Sequence, residues 1–134
     1  MIVVDTSVLS LAFRRPSKLD PHPAAVELRR LVEADEEVAL PGLVLQEILS
    51  GVRDEDQFAA LLASLEGFPV LRTTTNEHVL AARVRNRAMT AGVAVSTVDA
   101  LIAAQTIAAR GRLFTTDEDF FRLAPLCGLG LYAG

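Results

Sequence analysis

The sequence predicts an α/β fold, a parallel sheet with helices on both faces. Short apolar or β-branched runs recur along the chain, separated by stretches of helical periodicity, which is the pattern crossover connections require. Hydrophobic residues make up 51% of the chain and aromatics only 5%, with no Trp; the apolar content is Ala, Leu and Val, suited to helices packed on a sheet. At 134 residues, two independent cores would each be very small, so residues 1–134 read as a single domain. This composition also excludes intrinsic disorder.

Taken in order, Ile2-Val3-Val4 is a continuous β-branched run, the mark of a strand buried on both faces, and it stops at Asp5. Residues 6–13 read as a helix, broken by the polar loop Arg14-Arg15-Pro16-Ser17-Lys18. Residues 23–34 are amphipathic, with Val26, Leu28, Leu31 and Val32 against Glu27, Arg29, Arg30 and Glu33. A second strand at 37–40 is stopped by Pro41-Gly42. Helices follow at 43–52 and 56–65, with the charged turn Arg53-Asp54-Glu55 between them, and then a third strand at 69–71. Residues 76–91 form a helix whose outer face carries Arg83, Arg85 and Arg87, closed by Gly92. Residues 97–109 are nearly apolar all round. A fourth strand at 112–115, a short helix at 119–123 and a candidate edge strand at 129–132 complete the chain. In such sheets a ligand site lies beyond the carboxyl ends of the strands.

Charge and cysteine usage exclude several classes. Thirteen Lys and Arg against 17 Asp and Glu give a net charge of −4, which rules out wholesale coating of nucleic acid but not a local basic patch. Cys127 is alone, so there is no internal disulfide or cysteine zinc site, and it reads as a small buried apolar residue. The N-terminus lacks a basic region and meets Asp5 too early for a signal peptide. Residues 93–109 resemble a membrane span, but Asp99 and Gln105 interrupt them, and a mid-span Asp costs about 2.5–3.5 kcal/mol. They read as a buried helix, and the expected location is cytoplasmic.

The acids carry the chemistry. Asp5 and Asp117 each follow a strand and precede a helix, and Asp99 lies three residues after Ser96; alone, each fits a helix cap. Glu47 is harder to place structurally, because Leu43 and Val44 put it on or beside an apolar helix face. Asp99 has the same difficulty, with Val95 before it and Ile102 and Ala103 after it. A buried carboxylate needs a cation or a proton. A divalent metal would serve all these acids together, and carboxylates without Cys or a nearby His form a hard-oxygen site suited to Mg²⁺ or Mn²⁺. Such sites hydrolyse phosphodiesters. Acids sharing one cleft cannot all ionise cheaply, so at least one should have a raised pKa. His22, between two prolines, and His78, at a helix start, read as solvated.

Four segments then stand in a telling order: Val3-Val4-Asp5-Thr6-Ser7-Val8-Leu9, Glu47 in a helix after the second strand, Asp99-Ala100-Leu101-Ile102-Ala103-Ala104, and Thr115-Thr116-Asp117-Glu118-Asp119-Phe120. Together they resemble PIN-domain proteins, specifically the VapC toxins of bacterial and archaeal toxin–antitoxin pairs. The resemblance implies a three-layer α/β/α sandwich with a central, mostly parallel sheet of four to five strands. It implies a Mg²⁺- or Mn²⁺-dependent endoribonuclease, usually a homodimer, that cuts structured RNA such as tRNA or rRNA loops and is silenced by a cognate antitoxin. Asp5, Glu47, Asp99 and Asp117 match the family's four acids, with Asp5, Asp99 and Asp117 as metal ligands. Thr6, Thr115 and Asp119 fall on supporting positions. Position 116 is Thr where the family often has Asn.

Competing phosphoryl-transfer folds fit poorly. Haloacid-dehalogenase phosphatases need an Asp where Ser7 stands and, like response-regulator receivers, a late Lys; the one lysine is Lys18 in the first loop. The Gly-Lys-Ser/Thr of a P-loop is absent. The remaining alternative is a catalytically silent PIN-like module that binds RNA or protein. For RNA phosphates the candidates are Arg14, Arg15 and Lys18, and then Arg83, Arg85 and Arg87.

Overall fold

In the computed structural model, which describes residues 1–14 and 19–134, four strands form one parallel sheet. They are β1 (Ile2–Val4), β2 (Val38–Pro41), β3 (Val70–Leu71) and β4 (Arg112–Phe114), in the spatial order β3-β2-β1-β4. β1 is central and pairs Val3 with Ala39 on one side and Leu113 on the other. Its side chains are buried on both faces, as the unbroken β-branched run requires.

The helices are α1 (Thr6–Leu9), α2 (Pro23–Glu33), α3 (Gly42–Leu49), α4 (Glu55–Leu65), α5 (Thr75–Thr90), α6 (Thr97–Ala108) and α7 (Glu118–Cys127). The path from β1 to β2 to β3 runs one way across the sheet, and the step from β3 to β4 runs back past both. Right-handed crossovers therefore put α1 to α4 on one face and α5 and α6 on the other, giving three layers. Ile102, Ala103 and Ala104 are fully buried, so the apolar stretch at 97–109 is a core helix. Among the described residues no helix is long and apolar enough to cross a membrane. The sheet order reverses between β1 and β4, which makes the crevice beyond their carboxyl ends the place for a ligand.

Four elements differ from the sequence reading. The helix expected over 6–13 is α-helical only to Leu9 and continues as a π-helical turn, Ser10–Arg14. The wider turn re-aims the side chains that follow, and Phe13 meets Phe68 edge-on with ring centres 6.3 Å apart. α3 stops three residues early: Ser50 turns extended and bonds back to the Gln46 carbonyl at 2.6 Å, and Gly51 takes a φ of +87°. α7 runs to Cys127 with Pro125 inside it. Proline lacks the N–H that would bond the carbonyl of Phe121, four residues back on an exposed position of the helix. Residues 129–132 form a single parallel bridge, Leu113 to Leu131, not a strand. Beyond it Tyr132 packs on Phe114, lies under Arg112 and donates to Glu27 at 3.0 Å.

Candidate active site

Asp5 takes the N-cap position of α1, with φ −84° and ψ 160°, but its side chain makes no capping bond. It is only 5% exposed. Its Oδ2 instead accepts two hydroxyls, from Ser7 and Thr115, each at 2.9 Å. Both hydroxyl oxygens are themselves acceptors: the Thr116 N–H donates to Ser7 at 3.0 Å and the Asp117 N–H to Thr115 at 3.0 Å. An ionised carboxylate oxygen only accepts, so in these two bonds the hydroxyls donate to Asp5 Oδ2, and the two hydroxyl oxygens themselves lie 3.3 Å apart. The ends of β1 and β4 are thereby stitched together, and the second oxygen of Asp5 stays uncommitted by this pair of bonds.

Asp99, Asp117 and Asp119 come from helix starts. Ser96 caps α6 by accepting the Asp99 N–H at 3.0 Å, which puts the Asp99 carboxylate on the first turn, half-buried. Its pKa is pushed up to about 6, first by burial and then by the charges of Asp5, Asp117 and Glu47; the Ser96 hydrogen bond pulls the other way. Burial is the larger cause, and the neighbouring acids add the rise expected of carboxylates sharing one cleft. Asp117 caps α7, accepting the Asp119 N–H at 2.9 Å. Asp119 lies exposed on the first turn of α7. Asp99, Asp117 and Asp119 each offer a carboxylate oxygen, and the three lie within 4.8 Å of one another.

Glu47 is on α3 at the rim. Val44 and Ile48 take the buried face, and Glu47 itself is exposed, not set among apolar side chains as the helical spacing suggested. Thr6 donates to it at 3.1 Å, linking α1 to α3. Arg14 reaches the Ser50 carbonyl at 3.5 Å, one turn past Glu47, and makes no ion pair with the acids. Arg15 and Lys18 lie outside the described residues. On α5, Arg85 donates to the Val95 carbonyl at 2.9 Å while Arg83 and Arg87 are exposed. Cys127 is half-buried, away from the acids, and burial pushes its thiol pKa up.

Two residues escaped the sequence reading. Ser7 stood in the first of the four segments and as the absence of a second Asp, with no role of its own. Its role depends on Thr115 and Thr116, more than a hundred positions away. Arg122 carried a local signal: it sits three residues after Asp119 and four after Glu118, the spacing at which helix side chains meet. It donates to Asp119 at 2.9 Å and to Glu118 at 3.3 Å.

All donors at this site are carboxylate or hydroxyl oxygens, a set that suits a hard divalent cation. The model of the PIN domain family matches residues 2–126. The chain belongs to the PIN-domain family. This PIN domain is 33% identical over 132 residues to Ribonuclease VapC11 of Mycobacterium tuberculosis, the match covering 96% of each chain. Its fold is similar to that of VapBC2 from Rickettsia felis, crystallised with a DNA fragment from their promoter: TM-score 0.79, 20% identity, 98% of each chain. VapBC-5 of Mycobacterium tuberculosis, a member of the VapBC family of toxin–antitoxin systems, aligns at TM-score 0.67 and 25% identity, covering 96% of this PIN domain and 94% of its own chain.

Proposed function

We propose that this PIN domain is a Mg²⁺- or Mn²⁺-dependent endoribonuclease and the toxin of a toxin–antitoxin pair, with residues 1–134 as one catalytic unit. The convergence of Asp5, Asp99, Asp117 and Asp119 beyond the carboxyl ends of β1 and β4 carries this reading. Its relatives named as VapC ribonucleases agree with it along nearly the whole chain.

In this reading Asp99, Asp117, Asp119 and the free oxygen of Asp5 hold the cation. Ser7 and Thr115 keep Asp5 turned toward it, and Thr6 orients Glu47 at the rim. A bound divalent cation would orient an attacking water, lower its pKa and neutralise charge on the phosphate. Asp99 must lose its proton before it can serve as a ligand.

Control comes in trans, from an antitoxin in the cytoplasm, and the toxin works as a homodimer on structured RNA. A groove of about 960 Å³ supports a docking segment: Leu11, Phe13, Val26, Val32 and Phe68 line it, with Glu33 and Glu36 at its edge. An amphipathic antitoxin helix with basic flanks matches that lining.

The direct test is cleavage of bacterial RNA by the purified chain. Wild type should cut with Mg²⁺ or Mn²⁺ and stop in EDTA, while Asp5→Asn and Asp99→Asn should be folded and inactive. Expression alone should arrest growth, and Asp5→Asn should relieve the arrest. RNA binding without metal-dependent cleavage would favour the silent-module reading instead.

A further inference from the structure

RNA approaching this site meets a chain of net charge −4 and a cluster of carboxylates. A cation at the lip is needed to receive the phosphates. Among the described residues, Arg122 is the cation ion-paired to a member of the cluster: its Nη1 donates to Asp119 and its Nη2 to Glu118. Its side chain is 61% exposed, so the guanidinium is open to solvent beside the acids.

We propose that Arg122 receives a phosphate of the RNA strand, and that Asp119 holds it in waiting until a divalent cation takes the Asp119 carboxylate. This rests on the ribonuclease reading above. The physical argument is an exchange of partners. Asp119 lies within 4.8 Å of Asp99 and Asp117, so a cation shared by the three withdraws charge from the carboxylate that pairs with Arg122. What remains to Arg122 is Glu118, at 3.3 Å and 80% exposed, a contact weakened by water and salt. The guanidinium fork matches two phosphate oxygens, so the freed side chain has a better partner in the substrate than on its own helix. Arg122 thus contributes positive charge only once the metal site is filled, and RNA is held best by the form able to cut it. The plain alternative is a helix-surface ion pair that only braces Asp119.

Arg122→Gln and Arg122→Lys in the full chain separate the two. With Mn²⁺ present, Arg122→Gln should raise KM for RNA about tenfold, the loss of one charge-assisted contact, with kcat within about twofold. The slope of log KM against log salt should become shallower by about one, and Arg122→Lys should restore the slope but only part of the affinity. By calorimetry the Gln variant should bind Mn²⁺ at least as tightly as wild type. An unchanged salt slope overturns the proposal whatever KM does, and weakened Mn²⁺ binding beside that unchanged slope marks Arg122 as a brace for Asp119. If wild type cuts no RNA, the ribonuclease reading fails, and uncut labelled tRNA can be titrated by fluorescence anisotropy in Mn²⁺. The same loss of affinity and slope there supports the phosphate site, and equal binding by wild type and Arg122→Gln overturns it.

Discussion

Asp99 works against the folded protein until something compensates its charge. Its pKa rises to about 6 from an ordinary 3.8, so folding favours the neutral form. A raised folded-state pKa contributes stability that is fully present below about pH 4 and lost as pH climbs through about 6. Without metal, Asp99→Asn should therefore melt above wild type at pH 8, and the two should converge near pH 4. Scanning calorimetry in EDTA across that range checks this; a gap that persists at pH 4 would mean the burial and charge effects on Asp99 are not the cause. At this scale Asp99 was legible, because a carboxylate amid apolar helical neighbours demands a partner that the sequence does not supply nearby; the same argument singled out Glu47, which proves exposed. Ser7 was not legible. A serine two residues after a strand-ending Asp is an ordinary turn residue until the end of β4 comes alongside it.

Elements were read well where periodicity was strong and poorly where local rules competed. β1 and α6 follow from their patterns because burial on every side leaves no ambiguity. The π-helical turn after α1 did not, since one extra residue in a turn changes no composition and is set by what Phe13 meets in the tertiary structure. α7 was read only as far as Leu123, yet it continues through Pro125 to Cys127. Gly111 marks where α6 hands over to β4. A Cβ there would stand 3.1 Å from Val3 Cγ2 and 3.2 Å from the Met1 carbonyl, against the central strand. Gly111→Ala should destabilise by about 1–3 kcal/mol, as overpacking does, and displace the strand that ends in Asp5. Urea unfolding measures the loss. Stability equal to wild type would show that β1 can shift to make room.

For the whole molecule, fold class and the membership of the acid cluster were both within reach of the sequence, because four segments in fixed order constrain each other more than any one of them does. Which acids stand closest together in space was not within reach. The sequence matched Asp5, Asp99 and Asp117 as ligands, whereas in space the close trio is Asp99, Asp117 and Asp119, with Asp5 held beside it by hydroxyls. A cation that binds only the folded chain must stabilise it. At a hundredfold excess over Kd the gain is about 2.7 kcal/mol, on the order of 10 °C in Tm for a chain this size. Mg²⁺ or Mn²⁺ should produce that rise in wild type and much less of it in Asp99→Asn. An unchanged wild-type Tm at saturating metal would mean the acids do not hold one.

The stitch between Asp5 and Thr115 spans 110 positions of sequence. Contacts of such separation are the last to form, since the loop they close must be ordered first. During synthesis the chain emerges from its N-terminus, so Asp5 waits for Thr115 at the end of β4 and for the acids at the starts of α6 and α7. A growing chain therefore carries no assembled nuclease. On the ribonuclease reading, activity waits until β4 and the start of α7 have been made, an interval in which a separately made antitoxin can already be present.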